Sequence, residues 1–168
     1  MPLFTLLTTV GWLVARGGSH RRAWELLGVA PGDSGGFRAE ELYADARPCI
    51  EALRRRGDVV GAAGNYPTRE EPLLRELVDV VGSSDRWGAE KPSPGFFARL
   101  VVESGFEPSE AAHVGDRVDN DVVPARAAGL LAVHLRRGPR GRLQAGADQA
   151  HIRIDSLDEL PRALADGR

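Results

Sequence analysis

The stretch Gly115-Asp116-Arg117-Val118-Asp119-Asn120-Asp121 carries the strongest chemical signal in the chain. A glycine there lets the backbone turn sharply at the end of a strand. Asp116 then projects from that strand end, and Asp121 returns from the first turn of the following helix. Two carboxylates converging on one spot suit a hard cation with oxygen ligands, Mg²⁺ above all, which keeps several waters and binds through one or two carboxylates plus phosphate. The competing account is an acidic helix start, with Asp119 and Asp121 complementing the helix dipole and Asp116 acting as a cap. A second signal is compositional. Of the 22 basic residues only Lys91 is a lysine, and the chain has two asparagines, Asn65 and Asn120. A solitary ammonium among guanidiniums suits a compact point charge meeting a phosphate or carboxylate oxygen. Lys91, Asn65 and Asn120 each fall just after a predicted strand, on one edge of the expected sheet.

Those residues need a scaffold, and 168 residues supply one domain, 1–168. A hydrophobic content of 42% and a charged content of 27% are ordinary for a globular domain. A net charge of −2 gives no basic footprint for nucleic acid. One cysteine, Cys49, excludes an internal disulfide and a cysteine-based zinc site. The apolar run Leu3–Ala15 is shorter than the ~20 residues a membrane span needs. No basic residue precedes it, and Ala15-Arg16-Gly17 is a poor cleavage site. We read it as a first buried strand and expect a cytoplasmic protein with no nucleic-acid or membrane partner.

Strands are expected at Leu3–Thr8, Asp58–Ala63, Val78–Val81, Ala111–Val114, Leu130–Leu135 and His151–Ile154. Helices are expected at Ser19–Leu27, to Arg56, from a Thr68–Glu71 capping box to about Leu77, from Ser93-Pro94 to Gly105, over about Asn120–Ala128, and after Ser156. Gly28–Phe37 and the basic stretch Arg136–Gly141 read as loops. Trp24, Cys49, His113 and His134 read as core or edge residues, and Trp87 as part of a folded-over loop, with the alternative that it is partly exposed and marks a contact surface. Trp12 reads as core, with the alternative that it plugs the pocket or stacks on a ligand. Strands alternating with helices define an α/β fold with a mainly parallel sheet, whose ligand site lies beyond the strands' carboxyl ends.

On GDRVDND at 115–121, EKPSPGFF at 90–97 and VVGAAGNYP at 59–67, the chain resembles the haloacid dehalogenase superfamily of phosphatases and dehalogenases. The likeness extends from Ala46 to about Ala165. It implies a Rossmann-like three-layer α/β/α sandwich, with the lysine of the third motif at Lys91 and the acidic fourth motif at Asp116 and Asp121. It also implies that strand one should end in an aspartate nucleophile, followed two residues later by an acid/base aspartate. Aligning LLTTVGWLV, residues 6–14, places Thr8 and Val10 at those positions, and no Asp or Glu precedes Glu25. Gly64 stands where the second motif carries a hydroxyl, with Asn65 beside it. The segment 14–45 leaves room only for a minimal cap-like insert.

An aspartyl intermediate needs a carboxylate ionised at pH 7, and a threonine hydroxyl without an adjacent base does not replace it. We therefore expect a hydrolase-like protein without standard phosphatase or dehalogenase activity. Residual catalytic roles fall to Lys91 and Asp116, ligand binding to Gly64, Asn65 and Lys91, and weak Mg²⁺ binding to Asp116 and Asp121. The expected partners are a small phosphorylated or carboxylate ligand and a protein partner or second copy of the chain. Two alternatives stay open: an enzyme of altered chemistry built on Lys91 and Asp116/Asp121, and a structural protein with a relic pocket.

Overall fold

The computed structural model describes residues 3–5 and 42–166. Short apolar runs pair side by side as β1 (Leu3–Thr5), β2 (Val59–Gly64), β3 (Val80–Ser83), β4 (Ala112–Gly115), β5 (Leu131–Leu135) and β6 (Ile152–Ile154), with β2 to β5 largely buried. All pairings are parallel, in the order β3-β2-β1-β4-β5-β6. The order reverses between β1 and β4, where a doubly wound sheet opens a crevice at its carboxyl edge.

Helices cover both faces. On one side lie α1 (Ala46–Arg55), α2 (Glu71–Arg75) and α7 (Leu160–Asp166), which bury Leu53, Leu74, Leu160 and Leu164 against Val60, Val81, Val114 and Val133. On the other lie α3 (Ser84–Trp87), α4 (Pro94–Ser104) and α5 (Val123–Ala127). Their Trp87, Phe96, Phe97, Leu100 and Ala125 pack over Ala63 and Ala132. Each large side chain removed from water contributes roughly 1.5–3 kcal/mol. The result is the three-layer α/β/α sandwich expected from the sequence. A further short helix, α6 (Gly138–Leu143), follows β5. Among the described residues no helix is long and apolar enough to cross a membrane.

Several sequence expectations change in informative ways. Strands β2, β3 and β4 run on to Gly64, Ser83 and Gly115, past the apolar runs that announce them. Their last residues are small because loops crowd against them. A Cβ on Gly82 would stand 1.9 Å from the Trp87 ring, which is buried beneath a folded-over turn. The basic stretch after β5 is helical over Gly138–Leu143 rather than a solvated loop, and its Arg140 is buried. Arg137 lies 4.3 Å from the Tyr43 ring centroid and pairs with Asp45. The same Asp45 oxygen accepts from Ser156 Oγ at 2.9 Å and Leu157 N at 3.0 Å, clamping the start of α1 to the end of β6. The expected helix at 19–27, the loop at 28–37, Trp12 and Trp24 lie outside the described residues.

The capping box at Thr68–Glu71 does not form. Thr68–Glu70 is a 3₁₀ turn, and Thr68 donates its hydroxyl to Asp85 at 2.8 Å. Glu71 is drawn inward, where it accepts from Ser83 Oγ at 2.6 Å, Arg75 at 2.7 Å and Arg86 Nε at 2.9 Å. Burial alone would raise its pKa, but these donors and the Arg86 charge outweigh burial and lower it. A carboxyl held below its unfolded value, about 4.3, adds stability above that pH and loses it as pH falls through the folded value. Glu71→Gln should therefore cost about 2 kcal/mol near pH 7, discounted for the exposure of Arg75 and Arg86. It should also flatten the loss of stability below about pH 4. Urea titrations of both proteins across that range check this.

Candidate active site at the carboxyl edge of the sheet

β4 ends on Gly115, and the chain then enters a single π-type turn over Val118–Val122, closed by Val122 N donating to Arg117 O at 3.2 Å. Such turns recur at functional positions in helices. This one swings the Asp121 side chain back onto the strand end. A Cβ on Gly115 would meet Asp121 Cγ at 2.3 Å, so only glycine fits beneath that carboxylate.

Asp121 is fully engaged. Its Oδ1 accepts from Lys91 Nζ at 2.7 Å and lies 3.4 Å from His113 Nε2, and its Oδ2 accepts from Arg117 N at 3.1 Å. Both members of the Lys91–Asp121 pair are buried. Burial alone would raise the Asp121 pKa, but the adjacent Lys91 charge and the His113 contact drive it well below the usual carboxylate range. The lone lysine thus meets a carboxylate oxygen, one of the two roles its chemistry suggested.

Asp116 differs. Its carboxyl is pushed up to about 6 by burial and by the nearby Asp121 charge. Its Oδ1 is buried without a hydrogen-bond partner among the described residues. An orphaned acceptor beside a second carboxylate is what a divalent cation would relieve. Asp116 therefore fits as one oxygen ligand, whereas the oxygens of Asp121 are already occupied by Lys91 and the backbone. Among the described residues, His, Cys, Asp and Glu side chains nowhere gather in threes able to hold a metal ion.

Asn65 follows β2, but its amide faces the protein. Nδ2 donates to Lys91 O at 2.9 Å, and Oδ1 accepts from Lys91 N at 2.8 Å. The geometry gives it the task of clamping the Lys91 main chain. Gly64 ends β2 in register with Ser83. Asn120 sits within the π turn. Thr8 and Val10 lie outside the described residues.

Sequence reasoning missed three contributors. His113 and His134, read as core residues, are indeed buried, yet each turns Nε2 toward the acidic loop. Gln144, just past α6, accepts from Val118 N at 2.9 Å. The alternation of β4 carried a signal for His113, which shares a strand face with Gly115. Gln144 left none.

A parallel doubly wound sheet covered by helices on both faces, with a lysine–aspartate pair and a second carboxylate at the strand-order switch, defines a Rossmann-like α/β/α protein. Residues 14–129 match the family described as haloacid dehalogenase-like hydrolase, and the chain belongs to that family. It is 36% identical over 102 residues to glyceraldehyde 3-phosphate phosphatase of Methanopyrus kandleri, covering 57% of this chain and 44% of that protein. It is 32% identical over 146 residues to haloacid dehalogenase-like hydrolase domain-containing protein 3 of Bos taurus, covering 75% and 57%. Among solved structures, a HAD phosphatase from Thermococcus onnurineus superposes with a TM-score of 0.65 at 28% identity, over 86% of this chain and 70% of that one. The chain spans about half the length of the curated relatives it matches.

Asp121→Asn leaves the Lys91 ammonium buried without a counter-charge. It should cost about 3–5 kcal/mol, as breaking one side of a buried pair does. The Lys91→Met/Asp121→Leu double variant should recover a large part of that loss. Urea midpoints of the three proteins check this, and a double variant no more stable than the single one would contradict it.

Proposed function

We propose that this family member binds a small phosphorylated or carboxylate ligand, together with a divalent cation, beside Asp116 and Lys91 at the carboxyl edge of the sheet. We propose further that it does so without forming an aspartyl intermediate. The observation that carries the reading is the contrast between two neighbouring carboxylates: Asp121 filled by Lys91 and Arg117 N, and half-buried Asp116, whose buried Oδ1 is unpartnered among the described residues.

The roles follow from the atoms. An ammonium has three N–H donors, and Lys91 gives one to Asp121, so its charge can also meet a ligand oxygen. Asn65 fixes the main chain that carries Lys91. Asp116, with Asp121 behind it, would hold Mg²⁺ weakly, and the bound cation would neutralise charge on a phosphoryl oxygen. The names of the phosphatase relatives favour a phosphate monoester as the ligand class.

The resemblance to the family puts its nucleophile position at Thr8 and its acid/base position at Val10, and no Asp or Glu precedes Glu25 in the sequence. Without that nucleophile and proton donor, covalent capture of a phosphoryl group has no attacking atom. We place the short segment 14–45 as a minimal cap-like insert within one domain, and a second chain as a candidate cover for the site. The cytoplasm is the compartment we propose, on the buried free thiol of Cys49.

Thermal unfolding with Mg²⁺ and orthophosphate, each up to about 10 mM, tests the site by linkage. The wild type should gain Tm with both, Asp116→Asn should lose the Mg²⁺ increment, and generic aryl phosphates should not turn over. No shift with either ion would favour a relic pocket. Mg²⁺-dependent turnover abolished by Asp116→Asn would overturn the loss of chemistry and favour an enzyme of altered mechanism.

A further inference from the structure

Two buried imidazoles stand behind the acidic loop, on the strand face covered by α4 and α5. His113 on β4 is 1% exposed and His134 on β5 is 0% exposed. In the parallel register His113 pairs with Ala132 and Gly115 with His134, so the two rings are diagonal neighbours on adjacent strands. His134 Nε2 lies 3.3 Å from the Asp116 carbonyl, where the loop begins. His113 Nε2 lies 3.4 Å from Asp121 Oδ1, where the loop returns. One ring faces each end of the segment that carries both carboxylates.

The partners fix the proton positions. A main-chain carbonyl and an ionised carboxylate can only accept hydrogen bonds, so each neutral ring must carry its N–H on Nε2. Nδ1 of each ring must then be a bare lone pair, and Nδ1 of each is buried without a partner among the described residues. His113 stacks edge-on against Phe97 at 5.2 Å, in surroundings where an apolar side chain would pack without leaving a polar atom unsatisfied. Packing alone gives no reason for two imidazoles there, but the contacts of their Nε2 atoms with the loop do.

We propose that His113 and His134 are positioning residues, held as neutral Nε2–H tautomers, which pin the two ends of the 116–121 loop so that the Asp116 carboxylate and the Lys91 ammonium present one shared binding surface. His134 fixes the main chain from which Asp116 projects. His113 supplies a second donor to the oxygen that receives Lys91, so the ammonium is held by a carboxylate that cannot swing away. This inference rests on Asp116 and Lys91 forming the ligand site.

The test has two arms. Long-range ¹H–¹⁵N correlation spectra of wild-type protein labelled in histidine should show Nε2 protonated and Nδ1 bare in both rings. A ring protonated on Nδ1 at either position overturns the proposal. In the second arm, calorimetric affinities for Mg²⁺ and for orthophosphate are compared among wild type, His113→Leu, His134→Leu and the matching Gln variants, whose Nε2 can still donate. The Leu variants should lose about tenfold or more in affinity, as removal of a supporting partner does, and the Gln variants should stay within about threefold of wild type. Leu variants that bind like wild type overturn the positioning role while leaving the site itself intact. If the Leu variants do not fold, Gln variants that bind about tenfold more weakly overturn it. A wild type that binds neither ion overturns the reading of the site, and the tautomer spectra still decide the arrangement behind it.

Discussion

Everything at the carboxyl edge of this sheet is arranged around one ammonium buried against one carboxylate. Taking both charges out of water is costly, and their attraction offsets that cost only when the geometry is close and the remaining lone pairs are filled. Here Lys91 reaches Asp121 at 2.7 Å, Arg117 N fills the second oxygen, and Asn65 holds the lysine's own peptide from both sides. The pair joins the loop after β3 to the loop after β4, across the position that β1 occupies between β2 and β4. Two loops distant in sequence are thereby locked across the crevice.

That lock sets conditions on the backbone. The Asp121 carboxylate lies so close to the end of β4 that residue 115 must lack a side chain. The extra residue of the π turn brings Asp121 back over the strand while letting α5 start at Val123 in its own register. The electrostatic outcome separates two carboxylates a few residues apart. One is strongly ionised and spent on the protein, and the other is forced upward by burial and by its neighbour. Opposed environments for paired acids are a recurring mark of sites that handle ions.

The fold was largely legible in the sequence because its strands are short apolar runs and its helices carry clear stops. Gly105 ends α4 with a positive φ of 72° and Ser156 caps the final turn, as their residue types suggest. Lys91, Asp116 and Asp121 were legible through scarcity and spacing. Their division of labour was not, because which carboxylate receives the lysine depends on a π turn that no local pattern announces. Asn65 stands out by its scarcity, but nothing in Gly-Asn-Tyr-Pro shows that Lys91 lies within its reach. The Thr68–Glu71 signature misled because a tertiary network of Ser83, Arg75 and Arg86 outcompeted a local cap for Glu71. The stretch after β5 read as loop because four arginines among Gly and Pro show no amphipathic period, and only burial of Arg140 reveals the helix.

The Asp45 clamp has an architectural corollary. Because Ser156, Leu157 and Arg137 all grip the residue from which α1 departs, the chain enters α1 from a fixed berth beside β5 and β6. Whatever precedes residue 45, whether a brief connector or a whole transplanted module, would be moored at that same berth. Segments of very different length could thus be exchanged there without the sheet, or the ion pair at its heart, needing to readjust.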